Sequence, residues 1–156
     1  MFELKGKIEF EPVNVSKKHY SQSTWKKVAI VKFECDIYAY YSWFLERRFN
    51  LKLNPPLRGT HITIINDIVE DDIYEQAKEL FKDKELTFYY DPTIIRSNSK
   101  GHWWLKVNSD DAHNIRSAMG LDPNPYFGLH LTVGLSNPKY LDHSKYITEQ
   151  CIRFNL

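Results

Sequence analysis

Two stretches of this chain set the strictest limits on its fold. "GTHITIIND" runs from Gly59 to Asp67, and "GLHLTVGLS" runs from Gly128 to Ser136. Each is a short apolar run interrupted by a histidine and, two residues on, a threonine. Successive side chains of a strand point to opposite faces. His61 and Thr63 therefore share one face, while Ile62 and Ile64 share the other. In the second stretch His130 and Thr132 share a face, and Leu129, Leu131 and Val133 point away. Such strands must bury one face under apolar partners and leave a His-Thr pair on the other.

The rest of the chain supplies elements to do the burying. "FELKGKIEFEP" alternates as a strand closed by Pro12, and Val13 to Trp25 is a polar loop. Lys26 to Asp36 reads as a second strand, with an apolar run from Val28 to Val31 that predicts burial on both faces. "YAYYSWFLERRFNL" has helical length and spacing and ends ahead of Pro55 and Pro56, with Arg47 and Arg48 complementing its dipole. "DDIYEQAKELFKD" places Asp71 and Asp72 at the positive end of a helix whose apolar face is Ile73, Ala77, Leu80 and Phe81.

"LTFYYDPTIIRS" and "GHWWLKVNS" read as strands joined by a turn from Ser97 to Gly101. "SDDAHNIRSAMG" is a short helix with Ser109 or Asp110 as cap and Gly120 as stop. The tail from Lys139 holds a last short helix or strand. Each half thus ends in helix then H-x-T strand. The expectation is an α+β fold, one domain over residues 1–156, built from two similar lobes.

A chain of 156 residues buries a sizeable core without disulfides or a structural metal. Its two cysteines, Cys35 and Cys151, follow no metal-ligand or redox spacing and read as reduced core residues of a cytoplasmic protein. The amino terminus is too charged for a signal peptide, and no apolar run is long enough to span a membrane. The formal net charge of +1 argues against a partner such as duplex nucleic acid, though it leaves room for a small anionic ligand. Aromatic residues make up 15% of the chain, which suits a dense core and also a pocket that stacks planar ligands.

Two imidazoles and two hydroxyls converging on one point suit phosphodiester cleavage. One imidazole takes a proton from the attacking hydroxyl, and the other gives one to the leaving oxygen. Threonine hydroxyls then donate to the non-bridging oxygens as charge builds there. This scheme needs no metal or other cofactor. A lone H-x-T carries little weight, since His19-Tyr20-Ser21 also fits H-x-[ST] within a polar loop. The weight lies in the repetition within matching apolar strands. His102, His113 and His143 lack such a partner and are expected at the surface.

"HITI" and "HLTV" resemble the paired signatures of the two-histidine (2H) phosphoesterase superfamily, and within it the chain is most similar to the phage anti-CBASS nucleases. The resemblance implies two α+β lobes with a central cleft between two antiparallel sheets. It also implies a phosphodiesterase acting without a metal in the host cytoplasm. Its substrate would be a cyclic di- or trinucleotide messenger with 3′,5′ linkages, destroyed so that the phage evades bacterial CBASS immunity. His61, Thr63, His130 and Thr132 are the residues carried over as catalytic. Other 2H enzymes act on 2′,3′-cyclic phosphate ends of RNA or on 2′,5′-oligoadenylate. A chain that only sequesters the messenger is the rival of another class, though binding alone does not require two proton carriers.

Such a ligand calls for stacking surfaces and a few cations. On "GHWWLKV" Trp103, Leu105 and Val107 form the natural core face, leaving His102, Trp104 and Lys106 on the other. Trp104 and Lys106 are accordingly candidate ligand contacts, as are Tyr20 and Trp25 in the lysine-rich loop, Arg58 just before the first motif, and Tyr126 just before the second. Nothing in the sequence demands an obligate protein partner.

Overall fold

The chain runs β1 (Phe2–Phe10), β2 (Ala29–Lys32), α1 (Ile37–Phe49), β3 (Leu53–Asn54), β4 (His61–Ile65), α2 (Asp71–Phe81), β5 (Glu85–Ser97), β6 (His102–Asn108), α3 (Asp110–Ala118), β7 (His130–Ser136) and β8 (Ile152–Arg153). The structure is a computed structural model and describes residues 1–12, 27–56, 58–97, 101–136 and 152–153. The fold is α+β. Among the described residues no helix is long and apolar enough to cross a membrane.

All described strands belong to one antiparallel sheet with the order β1-β2-β4-β7-β6-β5. β1 also pairs with β5, so these six strands close into a barrel, while β3 adds to β7 and β8 to β5. β1 serves two neighbours in turn. Phe2 to Lys7 lie against Tyr90 to Glu85 of β5, and Lys7 to Phe10 against Lys32 to Ala29 of β2.

The strand order has an internal correspondence. β1, β2 and β4 form one half, and β5, β6 and β7 form the other in the same chain order. In each half a helix, α1 or α3, immediately precedes the strand that carries H-x-T, apart from the short β3. The halves meet along β4–β7 and again along β1–β5.

The core lies on the sheet face that carries Ile62, Ile64, Leu105, Leu131 and Val133, all fully buried. Tyr41 and Leu45 of α1, Tyr74 and Ala77 of α2, and Ala112 and Ile115 of α3 join the same cluster. Each large aliphatic side chain removed from water in this way contributes about 1.5–3 kcal/mol. Trp103, Leu105 and Val107 are buried while His102, Trp104 and Lys106 are not, the division that period-2 reading gives for β6. Val28 to Val31 are buried on both faces, also as expected.

Helix α2 corrects one expectation. Ile73 and Leu80 are 39% and 74% exposed, and the buried stripe is instead Tyr74 and Ala77, with Phe81 packed beside it. The Tyr74 ring packs edge-on against Phe10, and its hydroxyl donates to the Val28 carbonyl at 3.1 Å. A phenol that satisfies its polar end while burying its ring fixes the helix's rotation, and the two aliphatics turn outward. α3 starts as expected, with Ser109 Oγ accepting from the Ala112 N–H at 3.2 Å and donating to the Thr87 carbonyl at 2.6 Å. Cys35 is a free thiol packed against the core, and Cys151 lies outside the described residues.

One buried side chain ties the halves together. Arg116 of α3 is 1% exposed, and its guanidinium donates to both carboxylate oxygens of Asp67, at 2.7 and 3.1 Å. It also donates to the Ile64 carbonyl on β4 and to the Asp122 carbonyl, each at 2.7 Å. These bonds hold the Asp67 carboxyl below its ordinary range, through the Arg116 hydrogen bond first and its charge as well. Removing Asp67 would leave the buried guanidinium without its carboxylate partner, the costly half of such a pair to strand.

A candidate two-histidine site

β4 and β7 are antiparallel neighbours with Ile62 opposite Leu131. Both residues are fully buried, so the side chains flanking them emerge together on the other face of the sheet. Antiparallel pairing sets His61 beside Thr132 and Thr63 beside His130. All four are half-buried. The two pairs thus lie side by side across one strand seam.

Each imidazole is tethered in the same way. His61 Nδ1 lies 2.9 Å from the Gly59 carbonyl, and His130 Nδ1 lies 3.0 Å from the Gly128 carbonyl. A carbonyl can only accept, so Nδ1 carries the proton and Nε2 is the nitrogen left for chemistry. Gly59 and Gly128 have φ of 67° and 68°, the left-handed region that turns each carbonyl back toward its ring. Among the described residues a Cβ on Gly128 would meet nothing within 4 Å, and on Gly59 only Tyr38 Cε1 at 3.9 Å. Glycine is therefore required for its backbone conformation and not for room.

Burial lowers both imidazoles below the ordinary histidine range, against the opposing effect of the glycine carbonyl bond. At His61 the charges of Arg58, His130 and Lys32 lower it further. Each ring is thus biased toward the neutral form, and either ring when protonated is a strengthened acid.

The neighbouring strands extend the correspondence. Lys32 of β2 is paired with His61, and Lys106 of β6 with His130, and both lysines are exposed. Beside the threonines the halves differ. Ile30, 1% exposed, stands opposite Thr63, whereas Trp104 stands opposite Thr132. The Trp104 ring also meets His130 edge to face, with centroids 5.7 Å apart. His102 Nε2 lies 3.0 Å from Thr132 Oγ1, and its ring is 5.7 Å from that of His130.

Of the ligand contacts expected from the sequence, Trp104 and Lys106 stand at the site, and Arg58 is half-buried close enough for its charge to act on His61. Tyr126 does not join them. It is 93% exposed, and its ring packs on Phe127 with centroids 4.9 Å apart. Tyr20, Trp25 and His143 lie outside the described residues. His102 is a second correction, because it faces the site where a surface position was expected. Lys32 carries no local sequence signal, since only the strand pairing puts it beside His61.

An open cavity of about 700 Å³ begins beside the second motif, where Trp104, Lys106 and Gly128 form one side. Tyr89, Asp91 and Phe127 contribute to the rest, together with His113, which a surface reading had set aside. Among the described residues no three His, Cys, Asp or Glu side chains gather closely enough to hold a metal ion. No family model, curated protein or solved structure matches this chain.

Proposed function

We propose that this chain is a two-histidine phosphodiesterase that opens cyclic di- and trinucleotides with 3′,5′ linkages, and that it serves a phage in evading CBASS immunity in the host cytoplasm. One observation carries the enzymatic part of this reading. Two imidazoles stand on adjoining strands with Nδ1 tied to a glycine carbonyl, each presenting Nε2 to the same face. On this reading the two three-stranded halves are the two lobes, and the face they share is the cleft. The substrate assignment rests on the resemblance of the paired motifs, and the aromatic-lined cavity beside Trp104 is of a size to take part of a nucleotide.

The reaction follows from the tautomers. Neutral Nε2 of one histidine removes the proton from a ribose 2′-hydroxyl, whose oxygen attacks the adjacent phosphorus. The bond from phosphorus to the 5′-oxygen breaks, and the other histidine's Nε2–H protonates that oxygen. The product is a linear nucleotide with a 2′,3′-cyclic phosphate and a free 5′-hydroxyl. Thr63 and Thr132 donate to the non-bridging oxygens, while Lys32 and Lys106 supply positive charge beside each histidine. Both proton transfers are assigned to imidazole, so the reaction is expected to run without added metal.

The deciding experiment incubates the protein with 3′,3′-cyclic GMP-AMP in EDTA, beside the His61→Ala/His130→Ala double variant, and resolves products by mass. A linear product from the wild type alone is expected. Intact ligand after prolonged incubation with wild type, or equal cleavage by the double variant, would sink the proposal.

A further inference from the structure

The two halves match at their histidines and lysines but not at their threonines. Thr63 faces Ile30, and two residues back, just ahead of β2, stands Val28, buried and apolar. Thr132 faces Trp104, and two residues back along β6 stands His102, whose Nε2 reaches Thr132 Oγ1 at 3.0 Å. The contact crosses a break in the ladder: pairing runs Trp104↔Thr132 and then Trp103↔Gly134, leaving Val133 as an extra residue. Bulges of this kind re-aim side chains next to functional sites.

The direction of that hydrogen bond decides what Thr132 can do. A threonine hydroxyl has one proton and two acceptor lone pairs. If it donates to His102, it has no proton left for a phosphate oxygen. If His102 Nε2–H donates to it, its own proton is free to point at the substrate.

We propose that His102 is a positioning residue of this site, donating from Nε2 to Thr132 Oγ1 so that the Thr132 hydroxyl proton is directed at a non-bridging phosphate oxygen. This rests on the phosphodiesterase reading for its catalytic consequence, but not for the hydrogen bond itself. A positioning residue of this kind acts on the transition state more than on ground-state binding, because the phosphate oxygens gain charge as the bond forms.

The test compares His102→Phe, which keeps a ring against His130 but removes the nitrogen, with His102→Gln, whose amide restores a donor. Both are made in wild-type and Thr132→Val backgrounds, and folding is checked by circular dichroism. His102→Phe should lower kcat about tenfold with KM changed less than about twofold, the scale of one neutral hydrogen bond. His102→Gln should recover most of the loss, and neither change should cost anything further once Thr132 is valine. Unchanged kcat, an effect on KM alone, or losses that add to that of Thr132→Val would overturn the assignment.

A readout independent of turnover accompanies it. In long-range proton–nitrogen spectra at pH 8, His102 should carry its proton on Nε2, with a shift that moves in Thr132→Val. If wild type cleaves none of the nucleotides offered, the phosphodiesterase reading fails and this spectrum alone judges the contact. A bare Nε2 on His102 overturns it.

Discussion

Compared strand by strand, the halves of this barrel tether their histidines alike and surround them differently. Both motif histidines hang from a left-handed glycine two residues upstream, and both have an exposed lysine opposite. The first half then closes its threonine against Ile30, while the second opens toward Trp104, His102 and the cavity. The contrast separates two requirements. On the proposed reading the repeated tether serves general acid and base, and the wall beside Trp104 holds the ligand.

The contrast can be broken most directly at Trp104. Trp104→Ala should weaken binding of a cyclic dinucleotide by about 1–3 kcal/mol, the usual value of one stacked base, raising KM about 5- to 150-fold. Lys32→Ala, in the half whose threonine faces Ile30 and no aromatic ring, should move KM by much less. Equal losses measured by titration calorimetry would mean that the ligand spans both halves evenly.

The likeness is sharpened at the tethers. Gly59→Ala and Gly128→Ala each force a left-handed residue to carry a Cβ, at about 1–2 kcal/mol. Because neither position is crowded, the two costs should be alike in denaturant melts. A large cost at only one of them would show that the tethers are not equivalent.

The smallest effect lies in the pH profile. The proposed mechanism needs one imidazole neutral and one protonated, and both are shifted below the ordinary value of about 6.5. The singly protonated pair is therefore most populated on the acid side of that value, and kcat/KM should peak there. An anionic phosphate bound between the rings raises both, so kcat should peak at a higher pH than kcat/KM. Coincident optima, or a kcat/KM maximum well above neutral, would contradict the lowered imidazoles. The same shifts make the folded chain lose stability as pH falls through the ordinary histidine value, because the unfolded chain takes up protons there first.

Much of this was written in local pattern. Period-2 alternation assigned the buried and open faces of β4, β6 and β7 around their histidines correctly, most plainly where apolar and polar residues alternate from His61 to Ile64 and from His130 to Val133. Ser109 announced the start of α3 by residue type. What escaped was non-local. Lys32 reaches His61 only through the β2–β4 pairing, and His102 reaches Thr132 only across a bulge. The rotation of α2 turned on a tyrosine whose buried hydroxyl bonds a carbonyl far along the chain. The glycines before each histidine were visible in the sequence, but their role follows from the sign of φ, which residue type permits and does not dictate.

The Arg116 clamp has one further consequence. Each tether orients its ring within its own half, so the gap between the two imidazoles belongs to neither motif. It is set where the halves adjoin, much as the jaws of a caliper are set by the screw and not by the tips. Arg116, rooted in the helix of one half and gripping the end of the motif strand of the other, occupies the place of that screw. A substitution there is expected to alter the span between the two histidines while touching neither of them.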